Sequence, residues 1–113
     1  MAQPAEALPE REEIFVCGSK LTFRQAGLRD AGKSAVVFLH GLGGNSATWR
    51  QQYAAMGMAR RVIGWDMPGY GGSDLLSGMP QARDYAEILS AFLGALGIAK
   101  VHLVGQSVAA LIA

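Results

Sequence analysis

Short apolar runs typical of β-strands alternate along this chain with segments of helical periodicity. The first two runs, Ile14-Phe15-Val16 and Leu21-Thr22-Phe23, are separated by Cys17-Gly18-Ser19-Lys20, which predicts an antiparallel hairpin with a glycine in its loop. The next run, Ala35–Leu39, is apolar at every position, as expected of a strand that is buried on both faces. The chain is therefore expected to begin its fold near Ile14 with a hairpin and to continue into a buried strand.

The segment after this strand has the pattern of an amphipathic helix. Trp49, Tyr53 and Met56 fall at positions i, i+4 and i+7, which lie on one face of a helix. Asn45 or Ser46 precedes the segment and has the side-chain oxygen that caps a helix N-terminus. We expect a helix that starts after one of these two residues.

A second helix is predicted by the longest apolar stripe of the sequence. Its positions are Tyr85, Ile88, Leu89, Phe92, Leu93 and Leu96, and Gly97 ends it. Two further apolar runs, Arg61–Trp65 and Val101–Val104, predict strands on either side of this helix. Strands that alternate with helices form βαβ units. The predicted fold is therefore α/β, with a mainly parallel sheet, helices on both faces and an N-terminal antiparallel hairpin.

Composition and charge limit the class of protein. The chain has 113 residues, is 50% hydrophobic and has a formal net charge of +1, which indicates a packed domain without the basic patch that nucleic acid requires. No apolar stretch approaches the roughly 20 residues that span a bilayer, so we expect a soluble protein that does not bind membranes. Residues 1–13 are polar, contain two prolines and lack the apolar segment of a signal peptide. We expect a flexible leader over 1–13, one domain over 14–113 and a cytoplasmic location.

Three glycine-rich segments follow the three predicted parallel strands. They are His40-Gly41-Leu42-Gly43-Gly44, Asp66-Met67-Pro68-Gly69-Tyr70-Gly71-Gly72-Ser73 and Gly105-Gln106-Ser107-Val108-Ala109. The carboxyl ends of parallel strands meet at one edge of a sheet, and ligands bind there in open α/β folds. We therefore expect the three segments to build one site.

Ser107 lies on the third segment, between the strand Val101–Val104 and an apolar helical start at Val108. A tight strand-to-helix turn presents a serine hydroxyl above the sheet, beside backbone N–H groups. The Gly-x-Ser pattern also occurs in three loop-like stretches, at Ser34, Ser46 and Ser73. The strand before Ser107 and the helical start after it therefore carry the prediction that this serine is a nucleophile.

In this order, with a helix between each pair, the three segments resemble those of the α/β-hydrolase superfamily. The resemblance extends over about Ile14 to Ala113 of this chain, which corresponds to the front portion of that fold. The resemblance implies that Ser107 is the nucleophile and that the backbone N–H groups of Leu42 and Val108 form the oxyanion hole. It implies supporting roles for five residues of the loops, His40, Gly41, Asp66, Gly105 and Gln106. It also implies a small-molecule substrate and no cofactor. We expect no metal, since the sequence has no cluster of His, Cys and carboxylates with the spacing of a zinc site.

The resemblance further implies a catalytic acid and a catalytic histidine that follow the nucleophile in the chain. No acidic residue and no histidine follows Ser107, and neither His40 nor His102 matches the catalytic position. We expect both missing residues downstream of Ala113. The chain as given is expected to be an incomplete and inactive front part, with the strand Val101–Val104 at an unpaired edge that promotes association.

Ser107 also bears on the reaction. The dehalogenase and epoxide hydrolase branches of this family have an aspartate as the nucleophile on this strand-to-helix turn, which is called the elbow. A serine at this position therefore favours hydrolysis of an ester, a lactone, a thioester or a C–C bond next to a carbonyl. Ala109 stands where the family most often has glycine, and its methyl group crowds the contact between the elbow and the neighbouring strand. The pattern specifies neither the substrate nor the oligomeric state.

A dinucleotide-binding domain of an oxidoreductase is one alternative. Gly41-x-Gly43-x-x-Ser46 follows a strand and opens a helix, and Asp66 stands about 20 residues further on, where a ribose-binding acid is expected. This alternative replaces the third glycine by serine and leaves the elbow at Ser107 unexplained. A non-catalytic binding protein with the α/β-hydrolase fold is a second alternative.

Several of these residues also have a purely structural interpretation. His40 and Asp66 are expected to support loops rather than to react, and His102 is expected to be a core or subsurface imidazole. Cys17 is expected to be an inert thiol, since no histidine lies beside it in the sequence. Core packing rather than a substrate pocket is expected of three aromatic residues, Trp49, Trp65 and Tyr70.

Overall fold

The predicted strands form one mixed sheet in the computed structural model, which describes residues 8–27, 34–41, 43–76, 78, 80–98 and 100–106. Within these residues the sheet has five strands in the order β1-β2-β4-β3-β5. The strands are β1 (Glu12–Val16), β2 (Ser19–Ala26), β3 (Ala35–Leu39), β4 (Val62–Trp65) and β5 (Val101–Gly105). The predicted α/β class is confirmed.

β1 and β2 form the predicted antiparallel hairpin, in which Val16 pairs with Ser19. The turn consists of Cys17 and Gly18, whose φ angles are 52° and 80°. Two successive positive φ angles are typical of a type I′ turn, whose twist matches that of the paired strands. The turn is therefore tighter than the predicted four-residue loop, and β2 runs on to Ala26 because its second half pairs with β4.

The other three strands are parallel, as predicted, and β3 lies between the other two. Val37 of β3 pairs with Ile63 of β4 on one side and with Leu103 of β5 on the other. The hairpin joins the outer side of β4, because β2 pairs with β4 in the antiparallel direction. The chain passes from β3 to β4 and then back across β3 to β5, so the strand order reverses beside β3. Ligand sites of open α/β sheets lie at such a reversal.

Both predicted helices are present. The first begins as a 3-10 turn (Ser46–Trp49) and continues as α1 (Arg50–Met56), and the second is α2 (Ala82–Ala95). Asn45 is the cap of the first helical segment, since its side chain accepts a hydrogen bond from the Ala47 N–H (2.7 Å). No helix in the described part of the chain is long and apolar enough to cross a membrane.

Two apolar clusters, one on each face of the sheet, hold the helices. The larger cluster lies against α2 and includes Leu21, Phe23, Val37, Leu39, Ile63, Trp65, Ile88, Leu89 and Phe92. The smaller cluster lies against α1 and includes Val36, Phe38, Trp49, Tyr53 and Val62. Successive residues of β3 belong to alternate clusters, because strand side chains point to opposite faces in turn. This confirms that β3 is buried on both faces.

β5 is covered less completely than β3. Val101 and Leu103 pack against the larger cluster, whereas His102 and Val104, on the opposite face, are exposed. The expectation that His102 is a core or subsurface imidazole is therefore wrong. The reason is that the described residues place no helix over this face of β5.

The start of the chain approaches the sheet earlier than the sequence suggests. Residues 1–7 of the predicted leader lie outside the described residues, and β1 begins at Glu12, two residues before Ile14. Leu8 packs against the smaller cluster. Arg24 Nη1 on β2 donates a hydrogen bond to the Pro9 carbonyl oxygen (2.5 Å). Residues 8–11 therefore lie against the smaller cluster and β2.

Candidate active site

The carboxyl ends of β3 and β5 are in contact at the predicted edge of the sheet. Gln106, which follows β5, donates its N–H to the Leu39 carbonyl oxygen (3.0 Å) and so continues the parallel ladder. Its side-chain Oε1 accepts a hydrogen bond from the Gly41 N–H (3.4 Å). The residue before the predicted nucleophile therefore contacts the segment after β3.

His40 connects the ends of β3 and β4. Its side chain is fully buried, and Nε2 accepts a hydrogen bond from the Met67 N–H (2.9 Å). An Nε2 that accepts is unprotonated, so the neutral ring carries its proton on Nδ1, which donates to the Gly41 carbonyl oxygen (2.9 Å). Burial lowers the pKa of His40, while the Gly41 carbonyl and the charge of Asp66 act in the opposite direction. Both ring nitrogens are thus occupied by backbone groups.

The side chain of Asp66 is fully buried, and its carboxylate contacts three other residues at this edge of the sheet. Oδ1 accepts from the Ser46 N–H (2.6 Å), and Oδ2 accepts from the Thr22 hydroxyl (2.6 Å). Arg11 Nε lies 3.1 Å from the same Oδ2. A buried carboxylate is stable only when it is hydrogen-bonded and paired with a cation, and these three donors meet that requirement.

The glycine loop (residues 66–73) is fastened to β2 beside this carboxylate. Thr22 donates its N–H to Ser73 Oγ (2.9 Å), and the Ser73 hydroxyl donates to the Asp66 carbonyl oxygen (2.5 Å). The Gly72 N–H donates to Thr22 Oγ1 (3.2 Å). Gly71 has a φ of +53°, and a Cβ atom there would stand 2.4 Å from Asp66 Cγ. A glycine is therefore required where the loop passes over the carboxylate.

The aromatic residues of this region pack rather than line a cleft. Trp49 and Trp65 are buried in the two clusters, and neither indole Nε1 has an acceptor within the described part of the structure. The Tyr70 ring lies 5.1 Å from the His40 ring and partly covers it. The Tyr53 hydroxyl donates to the Ser46 carbonyl oxygen (2.7 Å), and burial raises the pKa of Tyr53.

Several predicted site residues cannot be placed in this geometry. Ser107, Val108 and Ala109 and the second oxyanion residue, Leu42, lie outside the described residues. The five supporting residues are described. Hydrogen bonds join His40 to Gly41 and Gly41 to Gln106. Asp66 is bonded instead to Thr22, Ser46 and Arg11, and Gly105 ends β5 and pairs with Leu39. No group of three or more His, Cys, Asp or Glu side chains within the described ranges could hold a metal ion.

Sequence reasoning missed that Arg11, Thr22 and Ser46 bond to Asp66 at this edge; it considered Ser46 only as a possible helix cap and as part of a dinucleotide-binding pattern. Arg11 lies in a segment without periodicity, so no local pattern pointed to it. Thr22 did carry a signal, because it is a polar residue between Leu21 and Phe23 in a strand, and it is only 4% exposed. An inward polar residue of this kind indicates a buried partner.

Comparison with protein-family models matches residues 34–113 to the alpha/beta hydrolase fold. The chain belongs to the α/β-hydrolase fold family. Its described residues correspond to the N-terminal part of that fold. The predicted resemblance is thereby confirmed.

Several of the proteins that are similar to this chain are hydrolases. A haloalkane dehalogenase from Mesorhizobium japonicum is 35% identical over 108 residues, which cover 92% of this chain and 33% of that protein. A 2-hydroxy-6-oxononadienedioate/2-hydroxy-6-oxononatrienedioate hydrolase from Paraburkholderia phymatum is 39% identical over 82 residues, 68% of this chain and 28% of that protein. A structure of a haloalkane dehalogenase loop variant from Bradyrhizobium elkanii has a TM-score of 0.82 at 30% identity, over 91% of this chain and 33% of that one. This α/β-hydrolase chain spans a third or less of the length of these relatives.

Proposed function

We propose that this chain carries the nucleophile and the oxyanion hole of an α/β-fold serine hydrolase. The observation that supports the proposal most directly is the contact between Gln106 and Gly41, at 3.4 Å from side-chain oxygen to backbone nitrogen. Ser107 follows Gln106 and Leu42 follows Gly41 in the sequence. The two residues that precede the proposed nucleophile and the proposed oxyanion donor are therefore in contact at the edge where α/β sheets bind ligands, which supports the proposal.

In the proposed mechanism, Ser107 Oγ attacks the carbonyl carbon of an ester, lactone or thioester, and the tetrahedral intermediate collapses to an acyl-enzyme as the bond to the alcohol or thiol leaving group breaks. Water then hydrolyses the acyl-enzyme to the carboxylic acid and restores the serine. In a C–C cleavage, Ser107 would instead polarise the water molecule that attacks the carbonyl. The backbone N–H groups of Leu42 and Val108 donate to the oxyanion that develops on the substrate oxygen. Two donors are needed because this charge appears only during the reaction, and loss of one costs about 2.7–4 kcal/mol.

The base that deprotonates Ser107 would come from a part of the protein beyond this sequence. Both nitrogens of His40 are occupied by the backbone of Gly41 and Met67. His102 lies within β5, with its side chain on a face of the sheet rather than at its carboxyl edge. Neither histidine is therefore suited to the role of the general base.

The proposed substrate is a small carbonyl compound: an ester, a lactone, a thioester or a vinylogous diketone. The likeness to a C–C hydrolase acting on a 2-hydroxy-6-oxo dienoate supports this class. The likeness to a haloalkane dehalogenase is of similar strength, and Ser107 is the feature that separates this chain from an aspartate-dependent reaction.

The dinucleotide-binding alternative loses its main support in the structure. A ribose-binding acid must present its carboxylate to the ligand. The Asp66 carboxylate is fully buried and already bonded to Thr22, Ser46 and Arg11. Titration with NADH should therefore produce no change in cofactor fluorescence.

The proposal is tested by active-site labelling of the complete product of the reading frame that encodes this chain. A fluorophosphonate probe should label the wild type and should fail to label Ser107→Ala, because only the nucleophilic oxygen is removed. Ser90→Ala, an exposed serine on α2, is the matched control and should label normally. Undiminished labelling of Ser107→Ala would move the nucleophile elsewhere, and a wild type that is never labelled would favour the non-catalytic binding protein.

The proposal includes a cytoplasmic enzyme, on the ground that the sequence contains a single cysteine. Fractionation of cells that express the complete product checks this location. Recovery in a membrane or extracellular fraction would contradict it.

A further inference from the structure

We propose that Arg11 is a positioning residue for the oxyanion segment and acts through the buried carboxylate of Asp66. The inference rests on the proposed function, because the segment that it positions contains Leu42. Arg11 itself does not touch the reacting atoms in this proposal. It lies in the part of the sequence that was predicted to be a leader.

The oxyanion segment (residues 40–46) is bonded near both of its ends to two consecutive residues of the glycine loop. At the start, His40 Nε2 accepts from the Met67 N–H at 2.9 Å. At the end, the Ser46 N–H donates to Asp66 Oδ1 at 2.6 Å. Leu42 stands between these two attachment points in the sequence, so the two bonds hold described residues on either side of the proposed donor.

The attachment at Ser46 depends on the position and orientation of the Asp66 carboxylate. The other donors to this carboxylate, the Thr22 hydroxyl and the Ser46 N–H, are neutral. Arg24 also lies close by, but its described hydrogen bonds go to Ser46 Oγ (3.1 Å) and to the Pro9 carbonyl oxygen. Arg11, with Nε 3.1 Å from Oδ2, is the cation that pairs with Asp66 among the described residues.

Removal of the Arg11 charge would leave a buried carboxylate without a counter-ion. Such a group moves towards water, because an unpaired buried charge is strongly unfavourable. This movement weakens the bond from the Ser46 N–H to Oδ1. The end of the oxyanion segment is then released, while the attachment at His40 remains.

The first test measures hydrogen exchange in the complete reading-frame product, with Arg11→Met, Arg11→Lys and the control Arg83→Met. Arg83 is exposed on α2, so the control removes an equal charge elsewhere. We expect the Ser46 amide to exchange at least tenfold faster in Arg11→Met than in the wild type, and to return to within threefold in Arg11→Lys. The amide of Val37 in β3 should not change, which separates local release from global unfolding. Wild-type exchange at Ser46 in Arg11→Met would overturn the proposal.

The second test measures fluorophosphonate labelling as a function of probe concentration. We expect Arg11→Met to lower the maximal labelling rate three- to tenfold with an unchanged half-saturating concentration, and Arg11→Lys to restore most of it. A general loss of stability would not lower the maximal labelling rate selectively while leaving the half-saturating probe concentration unchanged and being reversed by Arg11→Lys. An unchanged maximal rate in Arg11→Met would overturn the role in positioning.

The two tests also separate this inference from the proposed function. If the wild type is not labelled, the serine mechanism fails, and the Ser46 exchange rate alone decides whether Arg11 holds the segment. If Arg11→Met does not fold, Arg11→Gln replaces it, since glutamine keeps a hydrogen-bond donor without the charge. Equal exchange at Ser46 in Arg11→Gln and Arg11→Lys would then overturn the proposal.

Discussion

The two sides of the central strand β3 differ in how completely they are covered. On the covered side, all four residues of β4 are buried, and the hairpin and the glycine loop are bonded to its outer edge and carboxyl end. On the open side, β5 pairs with β3 alone among the described strands and alternates between half-buried and exposed residues. The same parallel pairing to β3 thus leads to two different environments.

This difference shows that the polar bonds that shape the site come mainly from the covered side. His40 and Ser46, which bound the oxyanion segment, are both bonded to residues 66–67 after β4. The open side contributes Gln106, which contacts Gly41 and precedes the proposed nucleophile. One side of β3 therefore fixes the framework, and the other contributes the residue that precedes the group proposed to react.

The largest expected effect comes from a cavity on the covered side. Phe92 of α2 is fully buried, and its ring meets the rings of Phe23 and Trp65 with centroids 5.3 Å and 6.0 Å away. We expect Phe92→Ala to reduce the free energy of unfolding by about 3–5 kcal/mol. The matched change on the open side, Val104→Ala at a residue that is 41% exposed, should cost about 0.5 kcal/mol.

Urea denaturation of the two variants measures this difference. Similar losses from Phe92→Ala and Val104→Ala would remove the contrast between the two sides. Such a result would also indicate that the exposed face of β5 is covered by a part of the protein beyond the described residues.

A glycine exchange examines the contact between the glycine loop and Asp66. Gly71 and Gly97 both have positive φ, but a Cβ atom at Gly71 would meet Asp66 Cγ at 2.4 Å, while one at Gly97 would meet nothing within 4 Å. At both positions, alanine in the left-handed backbone conformation is expected to lower the free energy of unfolding by about 1–2 kcal/mol. We expect Gly71→Ala to cost about 1–3 kcal/mol more, because the loop or the carboxylate must move. Equal unfolding free energies for the two variants would contradict the close contact.

Much of this framework could be predicted from the sequence, because apolar periodicity is a local property. The hairpin, the three parallel strands and both helices follow from runs such as Ala35–Leu39 and from the stripe that includes Phe92. The contact of Arg11 with Asp66 could not be predicted, because it joins residues far apart in the chain and leaves no periodic trace. The exposure of His102 was also missed, since an apolar run does not show which face of its strand a helix will cover.

His40 provides a pH-dependent test of the link between β3 and β4. The folded state lowers the pKa of this imidazole below its ordinary value of 6.5, because the ring is buried. Between these two values the unfolded state binds more protons than the folded state, so stability is lost as the pH falls below about 6.5. The contribution of one such group is at most about 1.4 kcal/mol per pH unit.

The measurement is the free energy of unfolding between pH 5 and pH 7.5 for the wild type and His40→Gln. We expect the wild type to lose more stability on acidification than the variant does, since the variant lacks the titrating ring. Parallel pH profiles would show that the pKa of His40 is the same in the folded and unfolded states. They would contradict the buried, neutral ring that accepts a hydrogen bond from the Met67 N–H.

The smallest expected effect concerns the hairpin turn on the covered side, where one residue is strained. Cys17 has a φ of 52°, in the left-handed region that asparagine and glycine tolerate best, and it is exposed. We expect Cys17→Asn to raise the free energy of unfolding by about 0.5–1 kcal/mol, because Asn-Gly is a preferred type I′ turn. Cys17→Ser is the matched control, since it also removes the thiol but lacks this backbone preference, and its stability should stay close to that of the wild type. Equal stabilisation by serine and asparagine would assign the gain to loss of the thiol, and no gain from asparagine would contradict the strain at this turn.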